Sequence, residues 1–288
     1  MEQVKLTEQH KKRYLSSLRS DFASQARRYL QQFYELSGGD GSKDGLDKYL
    51  KYIREELGYK DGTVRYIYGI LHRFYRINSL PWPYTLSDIP TIRERNVFAP
   101  ILDEKVIAEM IMAGKTGALS RVETMHLALA TTYGLRRIEL ANITARDISI
   151  RERLIYIETK HMGRERYHII PEVIVPYIHP SLVAVKRHTK ALDRMFQRIE
   201  QRIGFPHYKE LGWHSIRRCL DRSLNHAGLP GVVIEDFLRW KRSSRDMRKR
   251  YAMGTVIGRE TTNLDLAVED REVDEAVFAK HPFLPLWA

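Results

Sequence analysis

Between Asp147 and Ile170 the hydrophobic period of the chain shortens to about two residues, and it returns to a helical period after Pro180. Three runs carry the short period: Asp147–Ile150, Arg153–Glu158 and Arg166–Ile170. They alternate or run apolar and are rich in β-branched residues, as strands are. The gaps between them are too short for parallel crossovers, which need a dozen residues or more. The spacing therefore predicts a small antiparallel meander set among helices, a mainly α chain with one small antiparallel β-sheet (α+β).

The front of the chain is helical. Leu15, Leu18, Phe22, Ala26, Tyr29, Phe33 and Leu36 recur at three- and four-residue steps, which predicts one helix over 8–36. Gly38-Gly39-Asp40-Gly41-Ser42 breaks it. A second helix carries Leu46, Tyr49, Leu50, Ile53 and Leu57, and a third carries Val64, Ile67, Tyr68, Leu71, Phe74 and Tyr75. Pro81-Trp82-Pro83 cannot lie inside a helix, because each proline lacks an N–H and restricts its predecessor. This gives a helical domain over 1–85, a linker over 86–100, a second domain over 101–258 and a tail over 259–288.

In the second domain Asp103 reads as an N-cap, and Ser120-Arg121-Val122-Glu123 as a capping box opening a helix toward Thr132. Gly134 interrupts it, and a short helix restarts through Glu139 and Leu140. The second turn of the meander holds Lys160-His161-Met162-Gly163-Arg164, and at least four helical segments follow Pro180. The tail is acidic and then apolar, ending on Phe278, Phe283, Leu284, Leu286 and Trp287; it packs either on its own domain or on a neighbouring protomer.

Charge narrows the function. The 288 residues hold 48 Lys+Arg and 36 Asp+Glu, a formal net charge of +12. Residues 101–258 carry +11 and residues 259–288 carry −4. A field of this sign points to a polyanion, foremost nucleic acid. The densest run, Arg239 to Arg250, reads alone as a solvated helix face or as a phosphate contact. One cysteine, Cys219, excludes an intrachain disulfide, and no Cys/His set has zinc-finger spacing. No apolar run reaches the ~18 residues of a membrane span, and the first residues lack the apolar core of a secretory signal. A cytoplasmic, DNA-associated protein is expected, nucleoid-bound or encoded by a virus or plasmid.

Four local features are individually unremarkable: Gly134-Leu135-Arg136-Arg137-Ile138-Glu139-Leu140, Lys160, His214-Ser215-Ile216-Arg217-Arg218, and Trp240 followed by Tyr251. An arginine with a glutamate at i+3 is usually a surface ion pair, and a lone tyrosine is more often core. In this order they supply what metal-free phosphodiester exchange needs. A phenol, with a pKa of ~10, is both a fair nucleophile and a fair leaving group. Guanidinium forks stabilise charge on the transferring phosphoryl oxygens and do not lose their protons. A lysine and a histidine can move the protons.

The ordered set resembles the tyrosine recombinase family, the phage-integrase-like enzymes that include the Xer recombinases and the integrases of phages and archaeal viruses. The resemblance runs from about residue 8 to about 255. It implies a helical, SAM-like core-binding domain followed by a tyrosine-recombinase catalytic domain. GLRRIEL resembles the first-arginine box, with Arg136 catalytic and Glu139 supporting it, and Lys160 is similar to the hairpin lysine. HSIRR resembles the H-x-x-R box, giving His214 and Arg217. Leu238-Arg239-Trp240 sits where many members have leucine-glycine-histidine, and Tyr251 stands as nucleophile. There are two departures. Arg239 replaces the customary glycine, and Trp240 lies 11 residues before Tyr251, slightly more than usual.

The resemblance implies a site-specific recombinase that cuts and rejoins DNA through a 3′-phosphotyrosine, with no cofactor and no metal. Its partners would be double-stranded target sites and further copies of itself, a dimer on one site and a tetramer in synapsis. Arg137, Arg164, Arg218, Lys241, Arg242 and Arg245 are the expected DNA contacts. Three other readings remain open: a catalytically silent DNA-binding member, a type IB topoisomerase or telomere resolvase sharing the chemistry, and a basic helical scaffold.

Overall fold

The computed structural model describes residues 5–85, 88, 100–159, 165–183, 185–240 and 263–288, without the side chains of Asp21 and of 263–269. The chain divides into two compact units, Met1–Phe98 and Ala99–Ala288.

The first unit contains α1 (Glu8–Ser16), α2 (Ser20–Ser37), α3 (Lys43–Glu55) and α4 (Asp61–Ile77). Its core holds Tyr14, Leu30, Phe33, Leu46, Tyr49, Ile53, Ile67, Leu71, Phe74 and Tyr75. The single helix expected over 8–36 is two helices. The Ser17 amide donates back to Tyr14 and Leu15, and the Ser17 and Ser16 hydroxyls donate to the carbonyls of Tyr14 and Arg13 at 2.7 and 2.9 Å. These serines satisfy carbonyls that a continuous helix would bond, and Arg19 then turns extended. The break rotates the stripe, so Ala26, Tyr29 and Phe33 are buried while Phe22 stays 45% exposed.

The second unit opens with α5 (Glu104–Lys115), capped by Asp103, whose side chain accepts from the Lys105 amide at 2.8 Å. Next comes α6 (Arg121–Tyr133), whose capping box pairs Ser120 with Glu123. Residues 123–133 of α6 are buried all round, so this helix is the central post of the unit. The short α7 (Arg137–Asn142) follows Gly134. Strands β1 (Ile148–Ser149), β2 (Leu154–Ile157) and β3 (Arg166–Ile169) form the antiparallel meander in the order β1-β2-β3, with Ile148 opposite Ile155 and Ile157 opposite Arg166. The α-helices α8 (Thr189–Arg202), α9 (Trp213–His226) and α10 (Gly231–Phe237) complete the body.

The C-terminal segment folds onto this same unit as α11 (Asn263–Phe278) and α12 (Leu284–Trp287). Two aspartates of α11 close the open edge of the sheet: Asp270 accepts the amide of Tyr167 at 3.1 Å and Asp274 that of Ile169 at 2.7 Å. An edge strand's free N–H groups thus find partners within the chain. Val277, Phe283, Leu284 and Trp287 join the core, and the Trp287 indole donates to the Thr131 hydroxyl at 3.1 Å. No helix among the described residues is long and apolar enough to cross a membrane.

Candidate active site

The site is built on three helix ends. At the first, α6 stops at Gly134, whose φ of +55° is the left-handed conformation glycine favours. A Cβ there would stand 2.7 Å from Leu238 Cδ2. The chain then turns into α7 through Arg136, its N-cap. Glu139, at the third position of α7, accepts the Arg136 amide at 2.7 Å through Oε2 and the Arg136 guanidinium at 2.6 Å through Oε1. The first-arginine box is thus a capping box in which the capping carboxylate also holds the cation.

The second end is the start of α9. Trp213 anchors it, its indole donating to the carbonyl of Leu192 at 2.8 Å. His214 and Arg217 are neighbours one turn apart, His214 exposed and Arg217 buried. Arg217 donates to the carbonyl of Gly134 at 2.6 Å and to that of Leu238. Partial withdrawal from water, and then the charges of Arg217, Arg218, Arg137 and Arg136, push the His214 imidazole below its ordinary pKa. It is therefore neutral near pH 7 and able to accept a proton.

The third end is the exit of α10. The Trp240 amide donates to Glu235 at 2.8 Å and the Arg239 amide to Asp236 at 3.0 Å, the paired bonds of a Schellman cap. Arg239 occupies the left-handed position with φ +56°. This is the backbone state in which a glycine is customary, so the backbone of the pattern is kept although the residue differs. The turn aims two carbonyls at the two arginines: Leu238 at Arg217, and Arg239 at both terminal nitrogens of Arg136, each at 3.5 Å. Trp240 is 36% exposed, and its ring lies 5.8 Å from the guanidinium carbon of Arg217.

Glu139 ties the three ends together. Its side chain is fully buried; Arg239 donates to it at 3.1 Å, Thr159 at 3.1 Å, and Arg217 stands 4.0 Å away. Burial pushes its carboxyl up, but Arg239, Arg217 and Arg136 outweigh that and hold it at about 2. The carboxylate is therefore ionised across the physiological range.

Of the expected residues, the structure brings together Arg136, Glu139, His214, Arg217 and Trp240. Arg137 lies beside them but is engaged with Asp193 at 2.7 Å. Arg218 donates to the Pro100 carbonyl at 3.0 Å and to Ser215 at 2.9 Å. Lys160, Arg164, Lys241, Arg242, Arg245 and Tyr251 lie outside the described residues. The sequence reading missed Arg239 as a member of the cluster, together with the carbonyls of Gly134 and Leu238 and the Thr159 hydroxyl. The signal for Arg239 was its position beside Trp240, where the glycine was missing. Among the described residues no group of three or more His, Cys, Asp or Glu side chains is arranged to hold a metal ion.

Solved structures share this fold at low identity. A lambda integrase dimer bound to a core site matches with a TM-score of 0.62 and 12% identity, over 83% of this chain and 96% of that one. The integrase of transposon Tn1549 in complex with transposon right-end DNA matches with a TM-score of 0.57 and 14% identity, over 90% and 98%. The XerH site-specific recombinase bound to a palindromic substrate matches with a TM-score of 0.53 and 14% identity, over 74% and 69%. A search of curated proteins gives no match. The family model described as the phage integrase family matches residues 100–254, more than half of the chain and every position of the cluster described above. The chain belongs to the phage integrase family.

Proposed function

We propose that this family member is a tyrosine recombinase that cuts and rejoins DNA strands at specific sites. The observation that carries the reading is the pair Arg136 and Arg217, two guanidiniums fixed from behind by Glu139 and three backbone carbonyls. Arginine has five donors and no acceptor. Anchoring some of them on protein acceptors aims the fork at an anion and leaves the others for phosphate oxygens. His214, held neutral, stands at the same place to take or relay a proton.

In the proposed reaction Tyr251 is the nucleophile. Its oxygen forms the bond to phosphorus while the bond to the 5′ oxygen breaks, leaving a 3′-phosphotyrosine and a 5′ hydroxyl. The phenol proton leaves by way of His214, and Lys160 supplies a proton to the departing 5′ oxygen. Arg136 and Arg217 balance the charge on the non-bridging oxygens, and the Trp240 indole N–H and ring flank them. A 5′ hydroxyl of the partner strand then attacks the phosphotyrosine and reverses the bond changes. The phosphodiester energy is kept in the adduct, so the chemistry calls for neither ATP nor a metal.

The residue 1–85 unit serves as the core-binding domain and 101–258 as the catalytic domain, together gripping duplex DNA. Relatives with this fold have been solved as a lambda integrase dimer on a core site and as a tetramer on a Holliday junction. We carry the same assemblies over to this chain, acting where the DNA lies, in the cytoplasm.

The test is a nicked suicide duplex bearing the target site. Wild-type protein becomes covalently attached, and Tyr251→Phe does not. Relaxation of supercoils without any target site would reassign the chain to the topoisomerase branch of this chemistry. Binding without attachment would leave it a DNA-binding member only.

A further inference from the structure

Arg239 is fully buried, and it keeps a left-handed backbone that is unfavourable for a non-glycine residue. Four polar contacts of the guanidinium offset that strain. One terminal nitrogen donates to Glu139 at 3.1 Å and to the carbonyl of Tyr133 at 3.1 Å. The other donates to the carbonyl of Phe237 at 3.0 Å and lies 2.8 Å from His168 Nε2.

That last contact fixes the histidine. Arginine can only donate, so His168 Nε2 carries the lone pair and Nδ1 carries the proton. Nδ1 then donates to Asp274 Oδ1 at 2.9 Å. Burial, and then the charges of Arg166, Arg239 and Arg217, hold His168 well below its ordinary pKa, in keeping with this neutral tautomer. Asp274 belongs to α11, and Arg166 donates to the same oxygen at 2.9 Å. A continuous chain of contacts therefore runs from the partly exposed Arg136 through the buried Glu139, Arg239 and His168 to Asp274.

Glu139 divides its lone pairs along this chain. Oε1 takes Arg136 Nη1 and Thr159, while Oε2 takes the Arg136 amide and Arg239. Without Arg239, one side of the carboxylate loses its one side-chain donor among the described residues, and the plane that aims Arg136 is free to tilt. A misplacement of about 1 Å at a reacting group can slow a reaction ~100-fold.

We propose that Arg239 is a positioning residue, which locks the Glu139 carboxylate and through it the phosphate-facing fork of Arg136, and which does so only while the C-terminal helix is seated against His168. The inference rests on the recombinase reading above. It makes the seating of α11 a condition for a correctly aimed site, although the described side chains of α11 supply no group to the reaction.

The experiment measures the single-turnover rate of covalent attachment to the nicked duplex, and separately the affinity for the same duplex, at saturating DNA and with rates corrected for the folded fraction. Wild type, Arg239→Gly, Arg239→Lys, Asp274→Asn and the double variant Arg239→Gly/Asp274→Asn are compared. Glycine suits the backbone, so Arg239→Gly removes the guanidinium without adding strain. It should slow attachment at least tenfold with affinity within twofold of wild type. Arg239→Lys should recover part of the rate. Asp274→Asn, remote from the phosphate, should slow attachment in the same direction, and the double variant should be no slower than Arg239→Gly.

Wild-type rates in Arg239→Gly would overturn the inference, as would loss of rate and affinity in equal proportion. Additive effects in the double variant would break the link to α11. Should Arg239→Gly not fold, Asp274→Asn and Arg239→Lys decide: wild-type rates in both refute the chain. Failure of wild type itself to attach would instead refute the recombinase reading.

Discussion

Glu139 and Arg239 are 100 residues apart in sequence and 3.1 Å apart in space, both without solvent contact. The carboxylate sits among three guanidiniums, so it is the most cation-crowded acid described in the second unit. Pairs of this kind add little net stability when intact, since desolvation offsets attraction, yet losing one partner leaves an uncompensated charge.

Glu139→Gln tests that asymmetry. The amide keeps the shape but strands Arg136, Arg217 and Arg239 without their shared counter-charge. Urea unfolding should show a loss of about 3–5 kcal/mol, and covalent attachment should fall in the folded fraction that remains. A loss below about 1 kcal/mol would mean that the carboxylate does not organise the cluster.

Gly134→Ala should fail for two reasons acting together. The left-handed φ of +55° is unfavourable for alanine, and the new methyl meets Leu238 Cδ2 at 2.7 Å and Leu220 Cδ2 at 3.3 Å. Leu238 carries the carbonyl that anchors Arg217, so relief of the clash moves the site. Gly117→Ala is the control, with φ +79° and open space around its Cβ. Gly117→Ala should cost about 1–2 kcal/mol from backbone strain alone. Gly134→Ala should cost more and also slow attachment; equal losses at both sites would show that the contact with Leu238 carries nothing.

Much of this was legible in local sequence. The Ser120–Glu123 box, the Asp103 cap, the Gly134 turn and the three strands are all set by residues within a few positions of one another, and they form as expected. The break between α1 and α2 was hidden because the apolar stripe runs through it without a missed step. The Arg239 network was hidden for another reason. Its partners His168 and Glu139 are 71 and 100 residues away, and nothing near Arg239 distinguishes a buried arginine from one more member of a basic run. The seat of α11 was equally invisible, because Asp270 and Asp274 read as solvated acids until β3 offers them its amides.

Acid should weaken the second unit in a way that His281 makes visible. Burial holds His281 down at about 3 and His126 down at about 4, against an ordinary value near 6.5. The unfolded chain therefore binds protons that the folded one refuses. Their contribution is complete above pH 6.5 and is lost as pH falls toward 4 and 3. Each such histidine contributes a slope of about 1.4 kcal/mol per pH unit across that window. Glu139, held at about 2, adds a further loss only below its ordinary value of 4.5. Asp274, pushed up to about 7 by burial, runs the other way and offsets roughly one histidine. His281→Gln should therefore flatten the stability curve between pH 6.5 and 4 by one histidine's slope. An unchanged slope would place His281 in water, not against Thr132.

Trp287 decides where the C-terminal end lives in solution. It is 2% exposed, its ring lies 4.7 Å from that of Tyr177, and its indole N–H is satisfied by Thr131. Its neighbour Leu286 is 37% exposed. If the end is seated on its own unit, Trp287→Ala removes a large side chain from a formed core and should cost about 3–5 kcal/mol in urea unfolding of the DNA-free protein. Leu286→Ala should stay within about 0.5 kcal/mol of wild type. The same segment held by a neighbouring copy would give the opposite pattern, with Trp287→Ala sparing the stability of the isolated chain and impairing only assembly on DNA. Unfolding at two protein concentrations separates the two, because only stability borrowed from a second copy rises with concentration.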